Sequence, residues 1–342
     1  MKIPATIITG FLGAGKTTVI RHLLENANGK RIALIINEFG DLGVDRELVT
    51  GCGIEGCDDD SVMELTNGCI CCTVADDFLP TMEALLDRPE PPEHIVIETS
   101  GLALPKPLVR AFNWPEVRSR VTVDGIVTVV DAPAVTEGRF AHDPDAVQTQ
   151  READEMLDHD SPLEEVFEDQ LLSADMVLLN KFDLVDGDGL EYIRREVSKN
   201  IGPAVRMIHT RHGAIDPSVL LGIGAVVEDV IESRRSHHDD EDEHDHDDFE
   251  SFVVSFGSVT DPEDLEHRIK VAITDYDILR IKGFVHVRDK KMRHIVQAVG
   301  SRLQRYYDRP WHADEPRRTE LVVIGKTGID RGAITRVLIP KG

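Results

Sequence analysis

Short apolar runs separated by helical patterns follow one another along the N-terminal part of the chain. Each run is nearly continuous in apolar residues, whereas the intervening segments repeat apolar positions every three or four residues, as amphipathic helices do. Uninterrupted apolar strands are typical of a parallel sheet that helices cover on both faces. The pattern therefore predicts an α/β domain with functional residues at the carboxyl ends of its strands. The predicted strands are Lys2–Thr9, Arg31–Asn37, Ile95–Glu98, Gly125–Asp131, Met176–Asn180 and Ala204–Ile208.

A different pattern begins at Phe249 and continues to the end of the sequence. Alternating apolar and polar runs, typical of half-buried strands, are mixed there with two helical stretches. We predict a smaller α+β domain in which helices cover one face of a sheet. The predicted strands are Phe249–Phe256, Ile278–Val287, Met292–Val299 and Leu321–Ile324, the predicted helices are Pro262–Thr274 and Ile329–Leu338, and Arg302–Tyr307 is expected to be a short irregular or helical piece.

An acidic, histidine-containing segment separates these two patterns. Residues 239–248 hold eight carboxylates. Charge of this density cannot be buried, so we expect a disordered linker over residues 236–248, between a domain at 1–235 and a C-terminal domain at 249–342. The histidines of this linker have two open interpretations, as low-affinity metal ligands or as solvated residues. They are His237, His238, His244 and His246.

Charge and composition limit the possible partners and the cellular location of the protein. The net charge is −25, from 38 basic and 63 acidic residues. Such an excess repels phosphate backbones and anionic lipid surfaces, so we expect neither nucleic acid nor a membrane as partner. No apolar run reaches the roughly 18 residues that span a bilayer, and no signal peptide precedes the first predicted strand. We expect a cytoplasmic protein whose five cysteines, all within residues 52–72, are reduced thiols.

The first predicted strand leads into a phosphate-binding motif. Gly10–Thr17 matches the pattern G-x-x-x-x-G-K-[ST] and precedes a helical stretch, which is the context that this motif requires. Lys16 is expected to neutralise phosphate charge during catalysis, and Thr17 to bind Mg²⁺. The candidate residues for binding the nucleotide here are Gly10, Gly13, Ala14, Gly15, Lys16, Thr17 and Thr18.

Acidic residues follow three other predicted strands. Glu98 ends a buried strand, as does the acid that holds Mg²⁺ or its waters in phosphate-loop enzymes, and we assign it that catalytic role. Glu38 and Asp41 lie in a polar, glycine-containing loop that is either a nucleotide-sensitive switch with metal ligands or a plain surface turn. Asp131 is a weaker candidate for the acid that holds Mg²⁺. An acid that lies between a strand and Ala132-Pro133 is more simply explained as a helix cap.

The residues at the end of the predicted strand Met176–Asn180 indicate which nucleotide base is bound. Asn180-Lys181-Phe182-Asp183 resembles the guanine-recognition motif of GTPases, in which the aspartate accepts hydrogen bonds from guanine. Adenine lacks those donors and would leave the carboxylate unpaired. We therefore predict that Asn180, Lys181 and Asp183 bind GTP, and that Thr210 completes the base pocket.

Three cysteines within four residues form the clearest metal motif. Cys69, Cys71 and Cys72 offer soft ligands that suit Zn²⁺ or Co²⁺ in tetrahedral geometry and do not suit Mg²⁺. Buried inert cysteines and a thiol redox switch are the alternatives. Cys52 and Cys57 are more ambiguous and stay outside the proposed ligand set.

Together these motifs resemble the CobW family of metal-handling GTPases, which are kin of the urease and hydrogenase nickel chaperones. The resemblance covers essentially the whole chain and is most specific in members associated with the cobalamin pathway. It implies a slow GTP hydrolase in which Mg²⁺-GTP draws the Cys69, Cys71 and Cys72 thiolates into a metal site and hydrolysis releases the ion. The implied cargo is Co²⁺ for a cobaltochelatase that inserts it into the corrin ring. A zinc chaperone of the same family and a non-catalytic metal buffer are the alternatives.

Overall fold

The computed structural model describes residues 2–27, 29–36, 62–64, 78–153, 163–222, 249–312 and 315–340. The chain forms two compact units. The first contains Lys2–Gly202 and Met207–Pro217, and the second contains Pro203–Arg206 and the chain from Ser218 onward. The linker expected at 236–248 lies outside the described residues, as does the expected boundary at residue 235. Among the helices described in these ranges, none has both the length and the apolar character needed to cross a bilayer.

A parallel sheet forms the centre of the first unit. Its strands are β1 (Ile3–Thr9), β2 (Ile32–Ile36), β3 (Val62–Glu64), β4 (His94–Glu98), β5 (Val121–Asp131), β6 (Met176–Asn180) and β7 (Arg206–Thr210). They lie in the order β3-β2-β4-β1-β5-β6-β7. The pairings from β3 to β6 are all parallel. Every residue of β2, β4, β5 and β6 is buried, so both faces of the sheet are covered, as the continuous apolar runs predicted.

Helices pack on this sheet and connect its strands. On one face, Met82 and Leu85 from one helix and Leu108 from the next share a core with Ile7 and Ile97 of the central strands. The helices, in chain order, are α1 (Lys16–Glu25), α2 (Leu79–Leu86), α3 (Pro105–Ala111), α4 (Pro115–Arg118), α5 (Ala132–Thr136), α6 (Pro144–Ala153), α7 (Leu163–Ser173) and α8 (Gly187–Ser198), with a short 3₁₀ turn at Phe182–Leu184. The next helix, α9 (Pro217–Leu221), belongs to the second unit from Ser218 onward.

The second unit contains an antiparallel sheet. Its strands are β8 (Phe249–Phe256), β9 (Ile278–Val285), β10 (Met292–Val299), β11 (Arg302–Pro310) and β12 (Thr319–Lys326), in the order β11-β10-β9-β12-β8. Two helices, α10 (Pro262–Asp275) and α11 (Arg331–Leu338), pack against it. Ile269 and Ile334 from these helices share a core with Ile281 and Val323 of the sheet. The predicted small α+β domain is therefore confirmed.

One element of this unit was predicted wrongly. Arg302–Tyr307, expected to be irregular or helical, belongs to β11, which runs to Pro310 and lies at the edge of the described sheet, beside β10. The pairing is antiparallel, with Tyr306 opposite Ile295 and Gln304 opposite Gln297. Edge strands commonly carry charged and polar residues, which hide the alternation that identifies a strand.

Candidate nucleotide-binding site

The phosphate loop connects the end of β1 to the start of α1 and depends on glycines with positive φ. Gly10 has φ 138° and Gly15 has φ 100°. A Cβ atom at Gly10 would collide with the carbonyl oxygen of Val129, and one at Gly15 would collide with the side-chain amide of Asn180. The loop backbone therefore lies close to β5 at Gly10 and close to the last residue of β6 at Gly15.

A cavity of about 420 Å³ opens beside this loop. It brings together nine residues from the predicted set, contributed by the phosphate loop, β4 and the segment after β6. These are Gly13, Gly15, Lys16, Thr17, Thr18, Glu98, Asn180, Lys181 and Asp183. Leu12, Leu184 and His212 complete the lining. Parallel strands thus end at one edge of the sheet and present their terminal side chains to one cavity, as expected for this fold class.

Lys16 and Thr17 lie at the phosphate end of the cavity. Lys16 is 8% exposed, and its Nζ donates a hydrogen bond to the Phe11 carbonyl oxygen at 3.3 Å. The Thr17 hydroxyl donates to Oε1 of Glu98 at 3.2 Å, and Glu98 is itself 5% exposed. Mg²⁺ prefers oxygen ligands of this kind, a hydroxyl and a carboxylate. The donor set at Thr17 and Glu98 therefore fits a magnesium ion.

The last residue of β6 and the residue that follows it bind directly to the phosphate loop. Nδ2 of Asn180 donates to the Ala14 carbonyl oxygen at 2.9 Å, and Nζ of Lys181 donates to the Gly13 carbonyl oxygen at 2.7 Å. Asn180 is 2% exposed, whereas Asp183 is exposed on the cavity wall. The side chain of Asn180 therefore joins two parts of the site, and Asp183 lines the same cavity with an exposed carboxylate.

The loop after β7 completes this arrangement. The Thr210 hydroxyl and the Gly213 N–H both donate to Oδ1 of Asn180, at 3.1 and 3.2 Å. Thr210 thus contributes to the site by supporting the side chain of Asn180. The neighbouring His209 stacks on Phe182, with ring centroids 5.5 Å apart.

Sequence reasoning missed several residues at the base end. Leu184, 68% exposed, extends an apolar surface beside Asp183, and His212 lines the cavity with a φ of 51°. Gly213 follows with φ 69°. The signal in the sequence was a glycine just after a predicted strand, which often marks a tight turn.

Asp131 caps a helix, as its position before Ala132-Pro133 predicted. Its Oδ1 accepts a hydrogen bond from the Ala134 N–H at 3.3 Å at the start of α5. Its second oxygen, Oδ2, accepts from Nζ of Lys181 at 2.6 Å. This second contact had no signal in the sequence, because it depends on β5 and β6 being neighbours.

The predicted transition-metal ligands lie outside the described residues. This holds for Cys69, Cys71, Cys72, Glu38, Asp41, His237, His238, His244 and His246, and also for Cys52 and Cys57. Within the described ranges, no group of three or more His, Cys, Asp or Glu side chains is arranged to hold a metal ion. The cysteine site therefore stays a prediction.

Comparison with known proteins assigns the chain to a family. Residues 4–209 match the model of the "CobW/HypB/UreG, nucleotide-binding domain", and residues 249–339 match the "Cobalamin synthesis protein cobW C-terminal domain". A protein named zinc chaperone CobW from a Sinorhizobium species is 58% identical over 337 residues, covering 97% of this chain and 95% of its own. A zinc chaperone CobW from Pseudomonas aeruginosa is 50% identical over 343 residues, covering 98% and 91%.

Among solved structures, the Zn(II)-bound YjiA GTPase from E. coli is similar with a TM-score of 0.43 and 23% identity, covering 98% of each chain. The two family models together match most of the chain, and the two relatives match it almost from end to end. The chain therefore belongs to the CobW/HypB/UreG family of phosphate-loop GTPases and carries the CobW C-terminal domain.

Proposed function

We propose that this protein is a GTP-dependent metallochaperone that binds Zn²⁺ through Cys69, Cys71 and Cys72 and releases it after GTP hydrolysis. The observation that carries the proposal is the alignment of three strand ends, one of which presents Glu98 to the nucleotide cavity. Ile36, the last residue of β2, lies opposite both Glu98 and Glu64. β2, which leads in sequence to Glu38, therefore ends beside β4 and Glu98, and β3, which leads to Cys69, ends one strand further away.

This arrangement supports coupling between nucleotide and cargo. Thr17 and Glu98 would hold Mg²⁺, which supplies positive charge to the phosphates. If Mg²⁺-GTP tightens metal binding at the cysteines, the metal must tighten GTP binding by the same factor. The cysteine thiols must also lose their protons to bind metal as thiolates, so affinity for the cargo should fall at low pH.

The names of the two relatives support Zn²⁺ as the cargo. Thiolate ligands also bind Zn²⁺ more tightly than Co²⁺ in the divalent series. Co²⁺ is the second candidate, because the family to which residues 249–339 belong is named for cobalamin synthesis. In that case the expected partner is a cobaltochelatase. The cytoplasmic location expected from the sequence stays a prediction.

A competition titration tests this proposal. The affinity for Zn²⁺ and for Co²⁺ is measured against a chromophoric chelator, with Mg²⁺ and either a non-hydrolysable GTP analogue or GDP. We expect the GTP analogue to tighten metal binding by roughly tenfold, within the usual range of coupling between sites. A variant with Cys69→Ser and Cys71→Ser should lose tight metal binding and keep GTP binding, whereas Cys52→Ser, the matched control, should keep both.

Three outcomes would count against the proposal. Metal affinity that is the same with GTP analogue and GDP would indicate a metal buffer in which the nucleotide has no role. Tight metal binding that survives loss of Cys69 and Cys71 would remove the proposed ligand set. If only Co²⁺ binding responds to the GTP analogue, the cargo is cobalt and the zinc assignment is wrong.

A further inference from the structure

The buried carboxylate of Asp131 binds both the start of α5 and Lys181, the residue after β6. The residue is 1% exposed at the end of β5, and its two oxygens bind different partners. One caps α5 at Ala134, and the other accepts from Lys181 Nζ at 2.6 Å. Asp131 lies directly opposite Asn180 in the parallel pairing of β5 and β6, which brings Lys181 within its reach.

Lys181 extends this contact to the phosphate loop. Its ammonium group donates to Oδ2 of Asp131 and also to the Gly13 carbonyl oxygen at 2.7 Å. The residue has a φ of 59°, a left-handed conformation that is unfavourable for a non-glycine residue and must be held by its surroundings. A carbonyl is a neutral acceptor, whereas the carboxylate is charged and forms the stronger hydrogen bond. Asp131 is therefore the partner that fixes the ammonium group.

We infer that Asp131 is a positioning residue for guanine nucleotide binding. By holding Lys181, it keeps the base-recognition segment and the phosphate loop in one mutual arrangement, because Lys181 contacts Gly13 and lies two residues before Asp183. A nucleotide binds both segments at once, so its affinity depends on their separation. This inference rests on GTP binding at the site described above and does not depend on which metal is carried.

The test uses Asp131→Asn, which keeps a side-chain oxygen that can cap α5 and removes the charge that binds Lys181. Asp186→Asn is the matched control, since Asp186 caps α8 in the same way through the Gly189 N–H at 2.8 Å. Affinity for a fluorescent GDP analogue and the steady-state kinetics of GTP hydrolysis are measured for the full chain. Asp131→Ser, which also keeps a good helix-capping side chain, is measured as a second variant at this position. A folding defect in one of the two substitutions then does not decide the result.

We expect Asp131→Asn to weaken GDP binding roughly tenfold and to raise KM for GTP with little change in kcat, because Asp131 holds another residue and lies away from the phosphates. Asp186→Asn should stay within about twofold of the original chain. In a chain that already carries Lys181→Met, the Asp131→Asn substitution should add little, since its partner is gone.

Unchanged GDP affinity in both Asp131 variants would overturn the inference. An equal loss with and without Lys181 would also overturn it, because the carboxylate would then act only as a helix cap. Failure of the unsubstituted chain to bind GDP would instead refute GTP binding at this site, so the two claims fail separately.

Discussion

Gly213 provides the sharpest test of how the base end of the site is built. The residue has φ 69°, and its N–H donates to Oδ1 of Asn180 at 3.2 Å. A Cβ atom there would lie 2.7 Å from the Val19 nitrogen and 2.8 Å from the Thr18 carbonyl carbon. Both are backbone atoms of α1, which cannot turn aside as a flexible side chain can. Replacing Gly213 with alanine must therefore push the loop away from α1 and from Asn180.

Two contributions determine how much Gly213→Ala lowers the free energy of unfolding. The left-handed conformation costs an alanine about 1 kcal/mol, and overpacking against fixed atoms costs about 1–3 kcal/mol, so Gly213→Ala should destabilise the fold by roughly 2–4 kcal/mol. Gly138→Ala is the matched control. Gly138 has φ 73°, and nothing lies within 4 Å of its added Cβ. It should lose only about 1 kcal/mol, and the difference between the variants isolates the collision.

The assay combines urea unfolding with titration of a fluorescent GDP analogue. The chain has two tryptophans, Trp114 in the first unit and Trp311 in the second. In a Trp311→Phe background, Trp114 fluorescence therefore reports unfolding of the unit that contains the site. We expect Gly213→Ala to weaken GDP binding by roughly tenfold through the displaced Asn180, and Gly138→Ala to leave it unchanged. A Gly213→Ala variant that is no less stable than Gly138→Ala and binds GDP normally would refute this reasoning.

Two further predictions concern the base and the second unit. Asp183→Asn should lower GTP affinity and improve binding of xanthosine triphosphate, because the amide donates where the carboxylate only accepted; an unchanged ratio of the two affinities would remove Asp183 from base recognition. Burial, and to a lesser extent the charge of Arg305, lowers the pKa of His294 from 6.5 to about 4. Between these values the unfolded chain binds a proton that the folded chain does not, so stability is lost as pH falls through this window, by about 1–2 kcal/mol after screening. Urea unfolding at several pH values should show a flatter acid limb for His294→Gln, and identical profiles would contradict the assignment.

The sequence predicted those parts of the molecule whose signals are contiguous. Strands buried on both faces read as apolar runs, and Met176–Asn180 was predicted with its observed bounds. β5 begins at Val121, earlier than the predicted Gly125, because its pairing with β1 shifts register between Ala5 and Thr6 and Asp124 interrupts the apolar run. A local pattern cannot indicate such an irregularity, since the partner strand produces it.

The residues of the site were also predictable only where their signal is contiguous in the sequence. The phosphate loop and the tetrapeptide at Asn180 were recognisable because each is a short continuous motif. The contact of Asp131 with Lys181 and the support of Asn180 by Gly213 join residues that are far apart in the chain. Leu184 carried no signal, because an exposed leucine has meaning only once a cavity is known to lie beside it.

These long-range contacts explain why base selection and phosphate binding belong to one structural unit. Asn180 uses its amide nitrogen on the phosphate loop and its amide oxygen on the loop after β7, so neither loop can move without disturbing the other. Lys181 makes a second, charged connection to the same phosphate loop through Gly13. Two independent connections restrict both translation and rotation between the segments, whereas one would leave a hinge. The separation of Asp183 from the phosphate loop is therefore set by the fold, through the contacts of the two residues that begin its tetrapeptide.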